Sequence, residues 1–174
     1  ENPMLNNCIM EGVICTENKM HGIQLHRGSG CIIDNCISYG NTDSGIGMAE
    51  YAHDNIVSNS FLHDNAIGVV IRTGSYRNSI DGNMIKDTTR GIYIRGTSTM
   101  RGAENHISNN LLSNVVGDGI LVENSDVNII NNNILLNTAM DMLTYKPILC
   151  ASCTHSYILQ NSIKQLERGE TTTY

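Results

Sequence analysis

The chain has 174 residues and a formal charge of −6, with 40% apolar and 16% charged residues, no Trp, one Phe and two Pro. That length suffices for one domain with a substantial core, and the composition excludes a disordered tail; no apolar run approaches the roughly 18 residues of a membrane span. The negative balance speaks against a nucleic-acid-binding surface, and 22 Asn, 22 Ile and 16 Gly are turn formers and β-branched residues in a proportion that helical proteins rarely carry.

Two short motifs alternate from the N-terminus. The first, apolar-x-x-Asn-x-apolar, opens at Met4, Asn7 and Ile9. It returns at Ile32, Asn35 and Ile37, at Ile56, Asn59 and Phe61, and at Ile80, Asn83 and Ile85. Three further copies are Ile107, Asn110 and Leu112, then Ile129, Asn132 and Ile134, then Ile158, Asn161 and Ile163. Between them falls Gly-apolar-x-apolar, beginning at Gly22, Gly45, Gly68, Gly91 and Gly119, with a degenerate sixth copy at Met142 to Tyr145. A unit of about 23 residues is too short for a βαβ element, so each turn of chain holds three short strands and three bends.

Apolar residues two apart share one face of a strand, so Ile23 and Leu25 point inward and Gln24 outward. Each coil then pairs in parallel with the next, and equivalent residues stack into a continuous core. Asn tolerates a left-handed bend and bonds to neighbouring backbone, so stacked copies satisfy one another. Cys8 and Cys36, each following an Asn of the motif, are expected as cross-coil neighbours.

These repeats resemble the right-handed parallel β-helix proteins, a pectate-lyase-like superfamily that includes mannuronan epimerases and periplasmic sugar-binding-type β-helices. The resemblance implies an all-β, single-stranded right-handed parallel β-helix of about seven coils with an asparagine ladder, spanning 1–174 as one domain. Family members usually cover the first coil with a helix, whereas a repeat starts here at Met4. The expectation is a segment of a longer chain or a missing N-terminal cap, with a homo-oligomer or stacked coil ends covering the open edge.

Insertions in the bends mark the working side of a solenoid. The spacing places long bends at Arg95 to His106 and Lys146 to Tyr157, projecting from one side, and a further insertion at Glu11 to His21. The outward residue ending each Gly-led strand gives the column His26, Ala49, Arg72, Arg95, Glu123 and Lys146. Arg72 and Arg95 then lie one coil apart, and the repulsion calls for an anion. Glu123 and Glu50 are the internal candidates; a carboxylate or sulfate on a polymer is the external one. Residues 68 to 101 carry a net charge of +4, leaving −10 for the rest. A basic band on an acidic rod fits an acidic polysaccharide as partner.

Three chemistries suit such a groove. Lyase or uronan-epimerase action removes a proton beside a carboxylate, with a base and a cation that stabilises the enolate. Arg72, Arg95, Tyr93, His53 and Glu50 are the candidate catalytic set, surrounded by His26, Glu123, Tyr51, Tyr76 and Lys146 as substrate-binding residues. Mannuronan epimerases place a Tyr before an acid-Pro-His-acid motif; the nearest stretch here, Glu50-Tyr51-Ala52-His53-Asp54, lacks the Pro and its preceding acid. Glycoside hydrolysis, which needs paired carboxyl groups, is less well signalled, since Glu123 alone projects as an acid from the Gly-led strands. Recognition without turnover needs only the basic band and open rings such as Tyr51, Tyr76 and Tyr93.

No His or Cys group has recognisable metal spacing, and Cys150-x-x-Cys153 suits a local disulfide or two free thiols better than zinc. Calcium stays open as a cofactor, since many polysaccharide lyases of this fold use it. The reading is a secreted, periplasmic or surface-exposed β-helix that recognises and processes an acidic polysaccharide. The rival is a non-catalytic structural or adhesive module, such as a segment of a phage tail or surface protein.

Overall fold

The alternation of inward apolar and outward polar residues becomes three parallel sheets wrapped around one core. The computed structural model describes residues 5–139 and 144–165. The first face contains Ile9–Glu11, Ile32–Asp34, Ile56–Ser58, Ser79–Asp81, His106–Ser108, Ile129–Asn131 and Tyr157–Leu159. The second contains Ile14–Thr16, Ile37–Tyr39, Phe61–His63, Met84–Lys86, Leu111–Val115, Ile134–Thr138 and Ser162–Lys164. The third, built on the Gly-led motif, contains Ile23–His26, Ser44–Ala49, Ile67–Arg72, Arg90–Arg95, Ile120–Glu123 and Ile148–Ala151. All pairings are parallel between successive coils, as Ile23 with Ile46 and Ile92 with Val69. Six complete coils, about 29 Å at 4.8 Å per strand, precede a seventh that has two strands among the described residues.

Inward residues of the third face, including Leu25, Ile46, Met48, Ile71 and Ile94, are buried and meet Val57, Ile80, Leu62 and Ile85 from the other faces. The leading glycine is required by close approach: a Cβ on Gly45 would lie 2.9 Å from the Gly68 carbonyl oxygen.

Asparagine serves two adjacent positions at the corner between the first and second faces. The bend itself is left-handed at Gly12, Asn35, Asn59, Gly82, Asn109, Asn132 and Gln160, with φ between 48° and 66°. From the third coil on, the next residue forms the ladder: Ser60, then Asn83, Asn110 and Asn133, all buried, and the half-buried Asn161. Asn83 Nδ2 donates to Asn110 Oδ1 (3.1 Å), Asn110 to Asn133 (2.9 Å) and Asn133 to Asn161 (2.9 Å), while backbone N–H groups donate to the same oxygens. The seven Asn of the sequence motif therefore do not stack as one column. Asn35, Asn59 and Asn132 make the bend, Asn83, Asn110 and Asn161 make the ladder, and Asn7 belongs to the corner between the third and first faces. A pattern tolerant of Asn for two reasons slides by one residue between coils.

A second ladder runs through Asn55, Asn78, Asn105 and Asn128 at that third-to-first corner. A third starts with Asn18, Asn41 and Asn65 and then passes to Thr88 and, further along, Thr138, whose buried hydroxyls have no partner among the described residues.

Register corrects several expectations. Ile9 pairs with Ile32, so Cys8 is level with Cys31, and Cys36 is level with Val13; all six thiols are free. The first coil keeps 23-residue spacing throughout, so Glu11 to His21 holds no insertion. The sixth strand of the third face is Ile148–Ala151, not Met142 to Tyr145, and the second insertion thus precedes that strand instead of following it at Lys146 to Tyr157. Met142 and Leu143 lie outside the described residues. Among the described residues, no helix is long and apolar enough to cross a membrane.

Asn110→Ala leaves buried partners on both sides unsatisfied and is expected to lower stability by about 1–3 kcal/mol in urea titration, whereas Thr88→Val, which deletes an unpaired buried hydroxyl, is expected to be neutral or stabilising. Equal losses in the two variants would contradict the ladder as the source of stability.

Candidate functional site

Outward positions of the third face form three columns. The column before each glycine holds His21, Ser44, Ile67, Arg90 and Asp118. The middle one holds Gln24, Gly47, Val70, Tyr93, Leu121 and Leu149, and the last holds His26, Ala49, Arg72, Arg95, Glu123 and Ala151. Ala151 thus stands where Lys146 was expected, and Lys146 lies before the strand, its backbone N–H donating to Asp118 Oδ1 (2.9 Å). In the middle column Val70, Tyr93 and Leu121 pack together with Ile67 and Leu149 as an outer apolar strip.

Arg72 and Arg95 are cross-strand neighbours, as are Arg95 and Glu123. Their charges are settled differently from the expectation. Arg72 Nη2 donates to both oxygens of Asp43 (2.9 and 3.0 Å). Glu123 accepts the Tyr93 hydroxyl instead of pairing with Arg95. Glu50 is taken by Arg27 (3.0 Å) and His26 (3.1 Å). Arg95 is exposed and, among the described residues, has no carboxylate within ion-pair distance.

Tyr93 is nearly buried, with the Arg90 guanidinium 5.0 Å over its ring. Burial first, then the hydrogen bond and charge of Glu123, push its hydroxyl up to about 12, against the opposing pull of Arg95 and Arg90. The hydroxyl thus stays protonated well into the alkaline range and donates. Arg90 Nε lies 3.9 Å from the buried Asp118.

His21 and Arg90, with Asp43 and Asp118, which the sequence offers only as acids just before strands, extend the site beyond the candidate set. His21 Nδ1 is 2.7 Å from Ser44 Oγ and its Nε2 is 4.0 Å from Asp43 Oδ2. Burial lowers its pKa, Arg72 adds to the lowering and Asp43 opposes it. The available signal was position: His21, Arg90 and Asp118 each immediately precede a motif glycine.

The remaining candidates lie apart, on the corner between the third and first faces. His53 stacks on Tyr76 (4.9 Å, 14°), whose ring also carries the Arg77 guanidinium at 4.6 Å. Arg77 in turn makes two 2.7 Å bonds to Asp54, whose carboxyl is held at about 2 chiefly by them. With Tyr93 buried and Tyr76 covered, Tyr51 is the half-exposed ring of the three. The structure therefore brings together Arg72, Tyr93, Arg95 and Glu123, and separately His26, Glu50, Tyr51, His53 and Tyr76.

A shallow depression of about 610 Å³ between the second and third faces is lined by Asp64, Asp87, Asn114 and Thr88, and its carboxylates make it unsuited to an anion. Among the described residues no group of three His, Cys, Asp or Glu side chains is placed to hold a metal ion.

A family described as "Right handed beta helix region" matches residues 4–163. Among solved structures, the periplasmic alginate epimerase AlgG superposes with a TM-score of 0.72 at 20% identity, over 92% of this chain and 46% of that one. The A-module of the Azotobacter vinelandii mannuronan C-5 epimerase AlgE4 gives 0.67 at 14% identity, over 95% and 57%. A tailspike mutant of E. coli bacteriophage HK620, in complex with a hexasaccharide, gives 0.56 at 12% identity, over 92% and 39%. The chain spans about half the length of these structures, and at such identities the likeness is one of fold. None of the curated proteins matches.

Replacing Glu123 by Gln is expected to lower the Tyr93 pKa from about 12 while leaving it above the ordinary value of 10, because burial is the larger cause. Ultraviolet difference titration of wild type, Glu123→Gln and Tyr93→Phe resolves that tyrosine; no change in Glu123→Gln would contradict the hydrogen bond.

Proposed function

We propose that this chain, which belongs to the right-handed β-helix family, binds an acidic polysaccharide along its third face and moves a proton beside the sugar carboxylate. The observation that carries the reading is the open guanidinium of Arg95, set between Arg72 and the Tyr93–Glu123 pair. An exposed arginine without an internal partner offers its fork of donors to a carboxylate. Arg72, already held by Asp43, adds positive potential one coil away.

The chemistry follows from the same contacts. When the C–H bond beside a bound uronate carboxylate breaks, Tyr93 oxygen takes that proton as its own proton passes to Glu123, and the electron pair moves into an enolate neutralised by Arg95. Return of a proton from water to the opposite face makes an epimerase; breaking the bond from the neighbouring carbon to the glycosidic oxygen, which leaves with the electron pair and takes a proton from water, makes a lyase. The alginate epimerase and the mannuronan C-5 epimerase above share the fold, which supports a uronan as the polymer class and a periplasmic or extracellular location. His53, Glu50, His26, Tyr51 and Tyr76 line the adjoining corner and serve binding in this reading, and Lys146 borders the far end of the face. Calcium is retained as a variable of the assay.

Calorimetry with oligomannuronate, oligoguluronate and oligogalacturonate tests recognition. Arg95→Ala is expected to weaken binding about tenfold or more, and Lys86→Ala, on the second face and paired with Asp87, is expected to leave it unchanged. Equal effects would overturn the reading. Turnover is followed by ultraviolet absorbance of unsaturated product and by NMR of sugars recovered from D₂O, with and without calcium; Tyr93→Phe should abolish either signal. Binding with neither signal removes the chemistry and keeps the recognition, while absence of both returns the chain to a structural or adhesive module.

A further inference from the structure

The corner between the third and first faces carries a cleft of about 250 Å³ lined by Arg27, Glu50, Tyr51, His53 and Tyr76. It is smaller than the roughly 300–1,000 Å³ sites that take drug-sized ligands, so its capacity suits a single ring. Its construction sets it apart from other corners. Glu50 and Tyr51 are consecutive residues with positive φ (52° and 63°), and one coil on the second of these positions is Gly74 at 68°. A left-handed Tyr is uncommon, and here it turns the ring across the corner.

The ring is braced. It lies against Gly74, where a Cβ would come 2.9 Å from Tyr51 Cε1, and its hydroxyl donates to Met100 Sδ (3.0 Å). Met100 belongs to the insertion that follows Arg95, closed by Thr97 N–H to Met100 O (2.9 Å) and Met100 N–H to Thr97 Oγ1 (2.9 Å). Thus the insertion reaches back two coils to hold one exposed tyrosine. Half of that ring stays open.

Beside it, Arg27 Nε and Nη2 donate to Glu50 Oε2 at 3.1 and 3.0 Å. The two charges offset each other, and the pair is still partly open to solvent. An aligned guanidinium and carboxylate present donors and acceptors side by side, the pattern that adjacent sugar hydroxyls match; a half-open ring matches the C–H face of a pyranose. From this geometry we infer that the corner cleft is a subsite for one uncharged pyranose ring, stacked on Tyr51 with its hydroxyls on Arg27 and Glu50. It rests on reading the chain as a glycan binder, not on the charge of the polymer held by Arg95. A polymer or branch with both uronate and neutral sugars would engage both places.

The experiment uses saturation-transfer NMR and calorimetry with neutral tetrasaccharides (β-1,4-linked glucose, xylose and mannose) and with oligomannuronate. At least one neutral probe is expected to bind, to weaken about tenfold in Tyr51→Ala and Arg27→Ala, and to keep its affinity in Tyr51→Phe, which retains the ring. Arg95→Ala should leave neutral binding unchanged. Matched thermal melts of the variants separate lost contact from lost folding. Failure of every neutral probe to bind wild type, or a Tyr51→Phe loss as large as that of Tyr51→Ala, overturns the subsite. Loss of oligomannuronate binding in Arg95→Ala is independent of these outcomes, so the two readings fail separately.

Discussion

Register between coils is the constraint on which everything else in this molecule depends. Backbone groups of each coil are satisfied by the next one, so any residue must sit above its equivalent, 23 positions on or a few more where a bend is longer. Side-chain amides reinforce the same spacing. Where one Asn follows another, the ladder oxygen accepts from the amide and from the backbone N–H of the preceding coil, as Asn110 Oδ1 does from Asn83. A slip by one residue would expose the inward column and bury the outward one, leaving these amides unpaired in the interior. The regular rod is therefore a consequence of polar satisfaction as much as of apolar burial.

That constraint also explains where variation can be placed. A strand cannot lengthen without breaking both neighbours, so extra residues collect at corners. The four added residues after Arg95 and the five before Ile148 flank the third face at opposite edges. The first insertion is anchored by Arg101, which bonds Asp126 at 2.5 and 2.6 Å and the Ser152 carbonyl at 2.6 Å. Its anchor and its reach to Tyr51 thus join residues from coils that the sheets alone would keep independent.

The architecture was legible because a two-residue strand period and a fixed repeat are written directly in the residues. Ile23 and Leu25 are inward, and the third face follows the glycines from Gly22 to Gly119. Legibility ended where the pattern had imitators. Met142 to Tyr145 resembles a strand, but the sixth rung begins at Ile148 with Pro147 in the glycine column, so Lys146 stands before that rung instead of at its end. Partner choice was less legible still. Arg72 reaches along the strand to Asp43 on the preceding coil, and Glu123 turns to Tyr93 although Arg95 is its direct neighbour. Column position is a property of the backbone, whereas these contacts depend on side-chain length and on which acceptor is least solvated.

The two choices are coupled through that neighbour relation. Glu123 and Arg95 stand at paired positions, where opposite charges commonly attract, yet the carboxylate accepts from a hydroxyl that burial keeps protonated. A nearly buried donor left without an acceptor would cost more than an exposed ion pair contributes, so the tyrosine holds Glu123 and leaves Arg95 open. Asp43 acts in the complementary direction: by engaging Arg72 it relieves the repulsion between the two arginines one coil apart. An uncommitted guanidinium beside two carboxylates is thus produced by its surroundings, through a buried phenol that holds Glu123 and through Asp43, which holds Arg72.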